Sequence, residues 1–133
     1  MNYALITGGS SGIGLEYARQ MAARGWNIIV VSNREDDNVR VANDLSAQYG
    51  VVAEPLYADL TETDAAEKIF CYTEQRGIKV DVLINNAGML LFSQLANTPA
   101  QQLERIVALH CTTPTKLCQL FATDMAERAD ELL

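Results

Sequence analysis

Short, continuously apolar runs alternate along this chain with longer segments of helical periodicity. Four runs predict strands at 3–7, 27–32, 51–57 and 80–85. Between them, apolar residues recur every three or four positions, as in helices packed on a sheet. Strands that are apolar on both faces and joined by such helices imply a parallel sheet covered on both sides. The alternation therefore predicts a doubly wound α/β fold.

Helices are predicted at 12–24, from about 39 to 50, from 61 to 77, and from Pro99 to the end. Thr61-Glu62-Thr63-Asp64 resembles a capping box that opens the third helix. Pro114 predicts a kink or a split in the last one. The expected apolar faces are Ile13, Tyr17, Met21 and Ala22; Val39, Ala42, Leu45 and Tyr49; and Leu103, Ile106, Val107, His110, Leu117, Phe121 and Met125.

The connections and the composition limit what the molecule can be. Right-handed crossovers predict the strand order 3-2-1-4 within a single domain, residues 1–133.

No apolar run approaches a membrane span and no signal peptide is recognisable, so we expect a cytoplasmic protein without membrane contact. A net charge of −7 argues against nucleic-acid binding. The three cysteines lack metal-ligand spacing and are interpreted as buried or idle thiols.

Residues 7–14 read TGGSSGIG, between the first predicted strand and the first helix. A glycine-rich turn that opens a helix presents backbone N–H groups and the positive end of the helix dipole to a phosphate. Gly8 is expected to form the tight turn, Gly12 to allow close backbone approach, and Gly14 to let helix pack on strand. A simple strand-to-helix turn is the alternative, but this context favours a nucleotide site.

Two further motifs accompany the glycine-rich turn. The spacing T-G-x-x-x-G-x-G resembles that of the classical short-chain dehydrogenase/reductase family. Asn85-Asn86-Ala87-Gly88 after the fourth strand is similar to the family's N-N-A-G, and Asp59-Leu60 after the third strand is similar to its acidic-apolar pair. The resemblance covers essentially the whole chain but only the N-terminal half of the family's pattern. It implies a Rossmann sheet of four strands that is incomplete relative to the family.

The resemblance also implies positions for a nicotinamide dinucleotide. Asp59 and Leu60 would lie along its adenine ring, while Asn86, Ala87 and Gly88 would line its ribose and nicotinamide side. The asparagines also suit a turn at a strand end, and both interpretations can hold together. The candidate cofactor-binding residues are Gly8, Ser10, Ser11, Gly12, Ile13, Gly14, Asn33, Arg34, Asp59, Leu60, Asn86, Ala87 and Gly88.

The end of the second strand bears on cofactor choice. In dinucleotide folds an acidic residue there holds the ribose hydroxyls, whereas an arginine accommodates a 2′-phosphate. Asn33 and Arg34 occupy this place, so NADP(H) is favoured over NAD(H). Alternatively, Arg34 is a solvated loop residue and an acidic residue of the segment 35–37 serves the ribose. Those acidic residues also suit the start of the second helix.

In the family, hydride transfer is assisted by a serine and a Tyr-x-x-x-Lys motif, and this sequence contains no Tyr-x-x-x-Lys. Of the five tyrosines, Tyr72 alone has a cation four residues on, Arg76, and it lies on the third helix. His110 stands where the family commonly has an active-site asparagine; it is either part of a proton relay or a core histidine bonded to backbone. No catalytic residue and no metal ligand is assigned. The absence is interpreted as truncation, because the family segment with these groups follows the last helix.

The family resemblance and the exposed fourth strand lead to expectations about function and assembly. The chain is predicted to be the NADP(H)-binding part of an enzyme that reduces a carbonyl or oxidises an alcohol by hydride transfer, inactive alone. The alternative is a non-catalytic nucleotide-binding or self-associating module. With nothing after it, the apolar fourth strand would be a sheet edge. A homo-oligomer, or binding of the missing C-terminal half, is therefore expected.

Overall fold

A computed structural model describes residues 2–131 and contains one sheet of four parallel strands. Their order is β3-β2-β1-β4, as the crossover argument predicts. Neighbouring strands end level with one another: Thr7 is opposite Val31, Val31 is opposite Leu56, and Ile6 is opposite Ile84. The strands are β1 (Tyr3–Thr7), β2 (Asn27–Ser32), β3 (Ala53–Tyr57) and β4 (Val80–Ile84).

In the described part of the chain, five α-helices accompany the strands: α1 (Gly12–Ala23), α2 (Glu35–Tyr49), α3 (Ala65–Gln75), α4 (Ala100–Val107) and α5 (Thr113–Glu131). A single 3₁₀ turn, Leu95–Asn97, precedes α4. The predicted split near Pro114 is confirmed, because a π-helical turn over Ala108–Thr112 separates α4 from α5. Proline has no N–H with which to continue the helical ladder, so the hydrogen-bond pattern changes just before it.

Helices cover both faces of the sheet, as a doubly wound fold requires. On one face Ala4, Ile6, Ile28 and Val30 pack against α1 and α2. On the other face Leu5, Ile29 and Val31 pack against α3 and α5. Successive residues of a strand point to opposite faces, so β1 and β2, which are apolar throughout, fill both halves of the core.

The buried faces of α1 and α2 differ from those expected. Helix α1 buries Gly14, Ala18 and Ala22, whereas Ile13 and Tyr17 are 72% and 48% exposed. Small side chains let the helix axis approach the sheet closely, which a stripe of bulky residues would prevent. In α2 the expected Val39 is exposed, and the fully buried positions include Asn38, a polar residue that the pattern of apolar residues could not indicate.

Local boundaries also depart from expectation. The capping box is wrong: α3 begins at Ala65 without a side-chain cap, and Thr61 bonds to Asp59 instead. Strand β3 begins two residues late, since the Val52 N–H donates to the Asn27 side chain. Among the described helices, none is long and apolar enough to cross a membrane.

The three cysteines were expected to be buried or idle, and burial is wrong. Cys71, Cys111 and Cys118 are all exposed free thiols. They lie on solvent-facing sides of α3, the π-helical turn and α5. No group of three potential metal ligands is found among residues 2–131.

Candidate functional site

A cleft of about 400 Å³ opens beyond the carboxyl ends of the strands. This is the edge of a parallel sheet where doubly wound folds bind ligands, at the point where the strand order reverses. It is lined by Gly8, Ser10, Ser11, Ser32, Asn33, Arg34, Ala58, Asp59, Leu60, Thr61, Asn86, Ala87, Gly88, Met89, Arg105 and Leu109. Most of the lining residues lie at or just after the ends of β1, β2, β3 and β4, and Arg105 and Leu109 come from α4 and the π-helical turn, so five separate segments of the sequence meet at one place.

The glycine-rich turn between β1 and α1 is held very close to the segment after β4. Gly8 adopts φ +66°, and a Cβ there would come within 2.8 Å of Asn86 Nδ2. A Cβ on Gly14 would collide with the Gly8 carbonyl oxygen and with Asn86 Nδ2. Gly14 was expected to pack helix on strand; its close contact is instead with the turn and Asn86.

Gly12 differs from the other two glycines of the turn. It has φ +56°, and no atom lies within 4 Å of a Cβ built at this position. The space beside its backbone is therefore open. Ser11 at the N-cap makes no side-chain capping bond within the described part of the chain, so N–H groups of the first turn of α1 are left for another acceptor.

Thr7 connects the turn after β1 to the turn after β4. Its buried hydroxyl oxygen accepts the N–H groups of Asn86 and Ala87 at 3.0 and 3.1 Å. The Asn86 amide in turn donates to the Gly8 carbonyl at 3.3 Å. These bonds join residues nearly eighty positions apart, and they hold the N-N-A-G segment against the glycine-rich turn.

Ser32, at the end of β2, is the centre of a second set of hydrogen bonds. Its hydroxyl oxygen accepts from Ser10 Oγ at 3.0 Å and from the Arg34 N–H at 3.1 Å. It donates to Asn38 Oδ1 at 2.5 Å. The glycine-rich turn, the end of β2 and helix α2 are thereby tied together at the wall of the cleft.

Arg34 is the N-cap residue of α2 at the rim of the cleft, and its side chain is 71% exposed. Its guanidinium lies 4.0 Å from Asp37, which forms a closer pair with Arg40 at 2.9 Å. The acidic residues that the sequence left as alternatives, Glu35 and Asp36 with Asp37, form the first turn of α2 and are not among those lining the cleft.

Asp59 is an acidic residue that lines the cleft together with two of its partners, Thr61 and Arg105. Asp59 Oδ1 accepts the Thr61 hydroxyl at 2.6 Å and the Thr61 N–H at 3.0 Å, and Arg105 lies 3.8 Å from Oδ2. The hydroxyl bond from Thr61, aided by the backbone bond and by Arg105, lowers the pKa of Asp59. The carboxylate is therefore ionised at neutral pH, and its charge is partly balanced by Arg105.

His110 lies in the π-helical turn, next to the segment that follows β4. Its Nε2 lies 2.9 Å from the Met89 carbonyl oxygen and 3.1 Å from the Met89 nitrogen. A Cβ on Gly88 would meet the imidazole at 2.9 Å. His110 is thus bonded to backbone, as one of the two interpretations expects, but it is exposed and does not belong to the core.

Tyr72, with Arg76 four residues on, lies away from the cleft. Its hydroxyl donates to Glu54 near the start of β3, and Arg76 stacks over its ring at 4.4 Å. Burial, followed by the bond to Glu54, raises the pKa of Tyr72 to about 12. A tyrosine acting as a general base needs the opposite shift, toward neutrality.

Most of the candidate cofactor-binding residues line the cleft; Gly12, Ile13 and Gly14 do not. Leu60 is mainly a core residue that reaches the cleft at its edge. Sequence reasoning missed Ser32, Ala58, Thr61, Met89, Arg105 and Leu109. Ser32, Ala58, Thr61 and Met89 adjoin the recognised motifs in sequence, whereas Arg105 and Leu109 come from the region of α4 and carried no local signal.

The fold, with a cleft at the carboxyl ends of its strands, is that of a doubly wound α/β protein of the Rossmann type. The family model described as short chain dehydrogenase matches residues 2–130. The chain belongs to the short-chain dehydrogenase family.

Relatives and solved structures agree with that membership. The chain is 32% identical to the very-long-chain 3-oxoacyl-CoA reductase of Phaeosphaeria nodorum, over 98% of this chain and 40% of the relative. It resembles a short-chain dehydrogenase from Sphingobium yanoikuyae in complex with NADPH, with TM-score 0.88, 31% identity, and 96% and 50% of the two chains covered. For a bulky-bulky ketone specific alcohol dehydrogenase from Comamonas testosteroni the TM-score is 0.86 and the identity 34%, with 96% and 51% covered. The chain thus spans about 40% of its curated relative and half of these solved structures.

Proposed function

We propose that this chain is the NADP(H)-binding part of a short-chain dehydrogenase that transfers hydride between the cofactor and a carbonyl or alcohol. The observation that carries the proposal is the cleft, which is lined both by Ser11, the N-cap residue of α1, and by Arg34. One offers backbone donors to a pyrophosphate and the other a cation to a further phosphate.

The glycine-rich turn suits a pyrophosphate sterically as well as electrostatically. The open space at Gly12 would admit a ligand close to the backbone, whereas Gly8 and Gly14 are needed for the turn itself. The chain carries a net charge of −7, so attraction of a polyanion has to be local. In the cleft Arg105 offsets Asp59 and leaves Arg34 as additional positive charge.

The remaining candidate residues would orient the two ends of the dinucleotide. Asp59 and Leu60 would lie along the adenine, and Asn86, Ala87 and Gly88 beside the ribose and nicotinamide. When bound, the cofactor supplies or accepts the hydride. The residues of this chain bind and orient it, and His110 holds the Met89 backbone next to the nicotinamide side.

Proton transfer to or from the substrate oxygen is not assigned to any residue of this chain. The tyrosine with a cation at the right offset, Tyr72, has its hydroxyl bonded to Glu54 and its pKa raised. We therefore propose that residues 1–133 bind the cofactor without turnover by themselves. We propose no substrate more specific than a carbonyl or an alcohol, because the similar proteins are named for unlike molecules, such as 3-oxoacyl-CoA and bulky ketones.

We propose that the β4 edge of the sheet associates either with a second copy of this chain or with the C-terminal half of the family's fold. Within residues 2–131, β4 pairs with β1 alone, and Val82, Leu83 and Ile84 are only half-buried. Unpaired strand edges and exposed apolar side chains favour association. The same association through the β4 edge is expected if the chain acts as a non-catalytic binding module.

Arg34→Asp tests the cofactor assignment. The substitution removes the cation and places a carboxylate where a 2′-phosphate would lie, so NADPH affinity should fall about tenfold or more. NADH has no such phosphate, and its affinity should change much less. Titration of both cofactors by nicotinamide fluorescence measures the two dissociation constants.

Arg40→Asp is the matched control, because Arg40 pairs with the same Asp37 but does not line the cleft. It should leave both affinities close to those of the wild type. Equal weakening of NADPH and NADH by Arg34→Asp would contradict the assignment.

A further inference from the structure

Asn38 is a fully buried polar residue in the first turns of α2, an unusual place for an amide. Its Nδ2 donates to the carbonyl oxygens of Ser32 and Leu56 at 3.1 and 3.3 Å. An amide nitrogen must face those carbonyls, since an oxygen there would be repelled. The amide orientation is therefore determined, and Oδ1 is directed at the Ser32 hydroxyl.

The orientation of Asn38 settles the direction of every bond at Ser32. A hydroxyl has one hydrogen and two lone pairs. Because Asn38 Oδ1 can only accept, the Ser32 hydrogen goes to it. Both lone pairs are then free to accept, one from Ser10 Oγ and one from the Arg34 N–H. The hydroxyl is saturated in one arrangement.

We propose that Ser32 and Asn38 are positioning residues that set the preference for NADP(H) by anchoring the Arg34 backbone at the rim of the cleft. This inference rests on the proposed function, in which Arg34 meets the 2′-phosphate. Neither Ser32 nor Asn38 was a candidate from the sequence. Asn38 lies outside the cleft lining and acts through Ser32, whose hydroxyl acts on Arg34.

The need for an anchor follows from the exposure of the Arg34 side chain. The side chain is 71% exposed, and the guanidinium's pair with Asp37 at 4.0 Å is too long and too solvated to hold it. The flexible side chain therefore samples many positions about its Cα. The hydrogen bond from the Arg34 N–H to Ser32 fixes the position of the Arg34 backbone, from which the side chain extends. It thereby keeps the guanidinium within reach of a phosphate in the cleft.

Ser32→Ala is the direct test, using NADPH and NADH titrated against the 133-residue chain. It deletes the acceptor for the Arg34 N–H and should reduce the ratio of NADPH to NADH affinity about threefold to tenfold, the usual range for one hydrogen bond. Ser32→Thr keeps the hydroxyl and should keep the ratio. Circular dichroism confirms that each variant is folded; should Ser32→Ala unfold, Ser32→Cys, whose thiol is a weak acceptor, replaces it with the same expectation.

A double variant separates positioning from general damage to the site. In an Arg34→Gln background, Ser32→Ala should change the affinity ratio no further, because the group it positions is gone. Ser10→Ala removes the other bond to Ser32 but leaves the Arg34 anchor. It should weaken both cofactors alike and leave the ratio unchanged.

The outcomes distinguish this inference from the function on which it rests. If Arg34→Gln abolishes the NADPH preference while folded Ser32→Ala retains it, or if Ser32→Ala weakens both cofactors equally, the positioning role is overturned and the proposed function stands. If the wild-type chain shows no preference for NADPH, or Arg34→Gln does not reduce it, the cofactor assignment fails and this inference with it.

Discussion

Gly14 shows at the scale of one residue how closely the candidate site is packed. Its backbone lies against the Gly8 carbonyl and the Asn86 side chain, with no room for a methyl group. Asn86 is bonded in turn to Gly8 and, through its backbone, to Thr7. Any atom added at Gly14 therefore displaces both the glycine-rich turn and the N-N-A-G segment.

Gly14→Ala should consequently lower the free energy of unfolding by about 2 kcal/mol, despite alanine's better helix propensity. It should also abolish dinucleotide binding, because both segments of the cleft move. Urea unfolding and fluorescence titration measure the two effects.

Gly77→Ala is the control, since Gly77 has φ +64° and open space around it at the end of α3, outside the cleft. It should destabilise the fold by about 1 kcal/mol through backbone strain alone and bind NADPH normally. Normal binding by Gly14→Ala would show that the turn tolerates displacement.

At the scale of elements, side-chain contacts join helices to strands. Arg128 of α5 bonds to Asp81 and to the Val80 carbonyl of β4, and Tyr72 of α3 bonds to Glu54 of β3. Thr113, buried at the start of α5, donates to the Leu60 carbonyl at 2.8 Å. This last bond joins the helix after the π-helical turn to the loop that lines the cleft.

The Tyr72 contact predicts a stability change in alkali. The pKa of Tyr72 is raised to about 12 from 10.0, chiefly by burial, so the folded state holds this proton more tightly than the unfolded state. Its contribution is fully present below pH 10 and is lost as the pH rises to about 12. Chemical unfolding across this range should show that decline.

Tyr72→Phe should flatten part of the alkaline decline, because the titrating hydroxyl is gone. Tyr57→Phe is the control: Tyr57 is 55% exposed on β3 and should leave the wild-type profile in place. An unchanged slope in Tyr72→Phe would mean that other groups control the alkaline transition.

At the scale of the whole molecule, the central strands are enclosed and the edges are not. Strands β1 and β2 are buried almost throughout, whereas β3 and β4 lie at the two edges and are only partly covered. Apolar side chains after β4 and on α4 are also exposed, including Leu90, Phe92 and Val107 at 78%, 93% and 54%.

We expect association at micromolar concentration in sedimentation velocity, through the β4 edge or through the helices near α4. Val107→Glu on α4 should weaken association if the helices form the contact and leave it unchanged if the strands do. Val39→Glu, at an exposed site on α2, is the control that should not affect it. A stable wild-type monomer across the concentration range would contradict the expectation.

Much of the fold and part of the candidate site could be predicted from local sequence patterns. Strand order, the split before Pro114, and the positions of the glycine-rich turn and N-N-A-G at the cleft all follow from periodicity, crossover handedness and motif spacing. These features depend on residues close together in the chain or on rules common to all parallel sheets. The predicted faces of α1 and α2 were wrong in part because apolar character does not reveal which helix must approach the sheet closely.

The sequence by itself determined the sheet, its order and the cleft at its carboxyl edge, because alternation and turn chemistry are properties of neighbouring residues. Only the tertiary structure decided which side chains are paired in and around that cleft: Arg105 beside Asp59, His110 against Met89, and buried Asn38 bonded to Ser32. Two of these contacts join separate segments of the chain, and the third depends on which face of α2 turns inward. Buried Asn38 is paired because an unpaired buried amide would be costly, whereas the contacts of the exposed Arg105 and His110 form because the fold brings α4 and the π-helical turn next to the segments after β3 and β4.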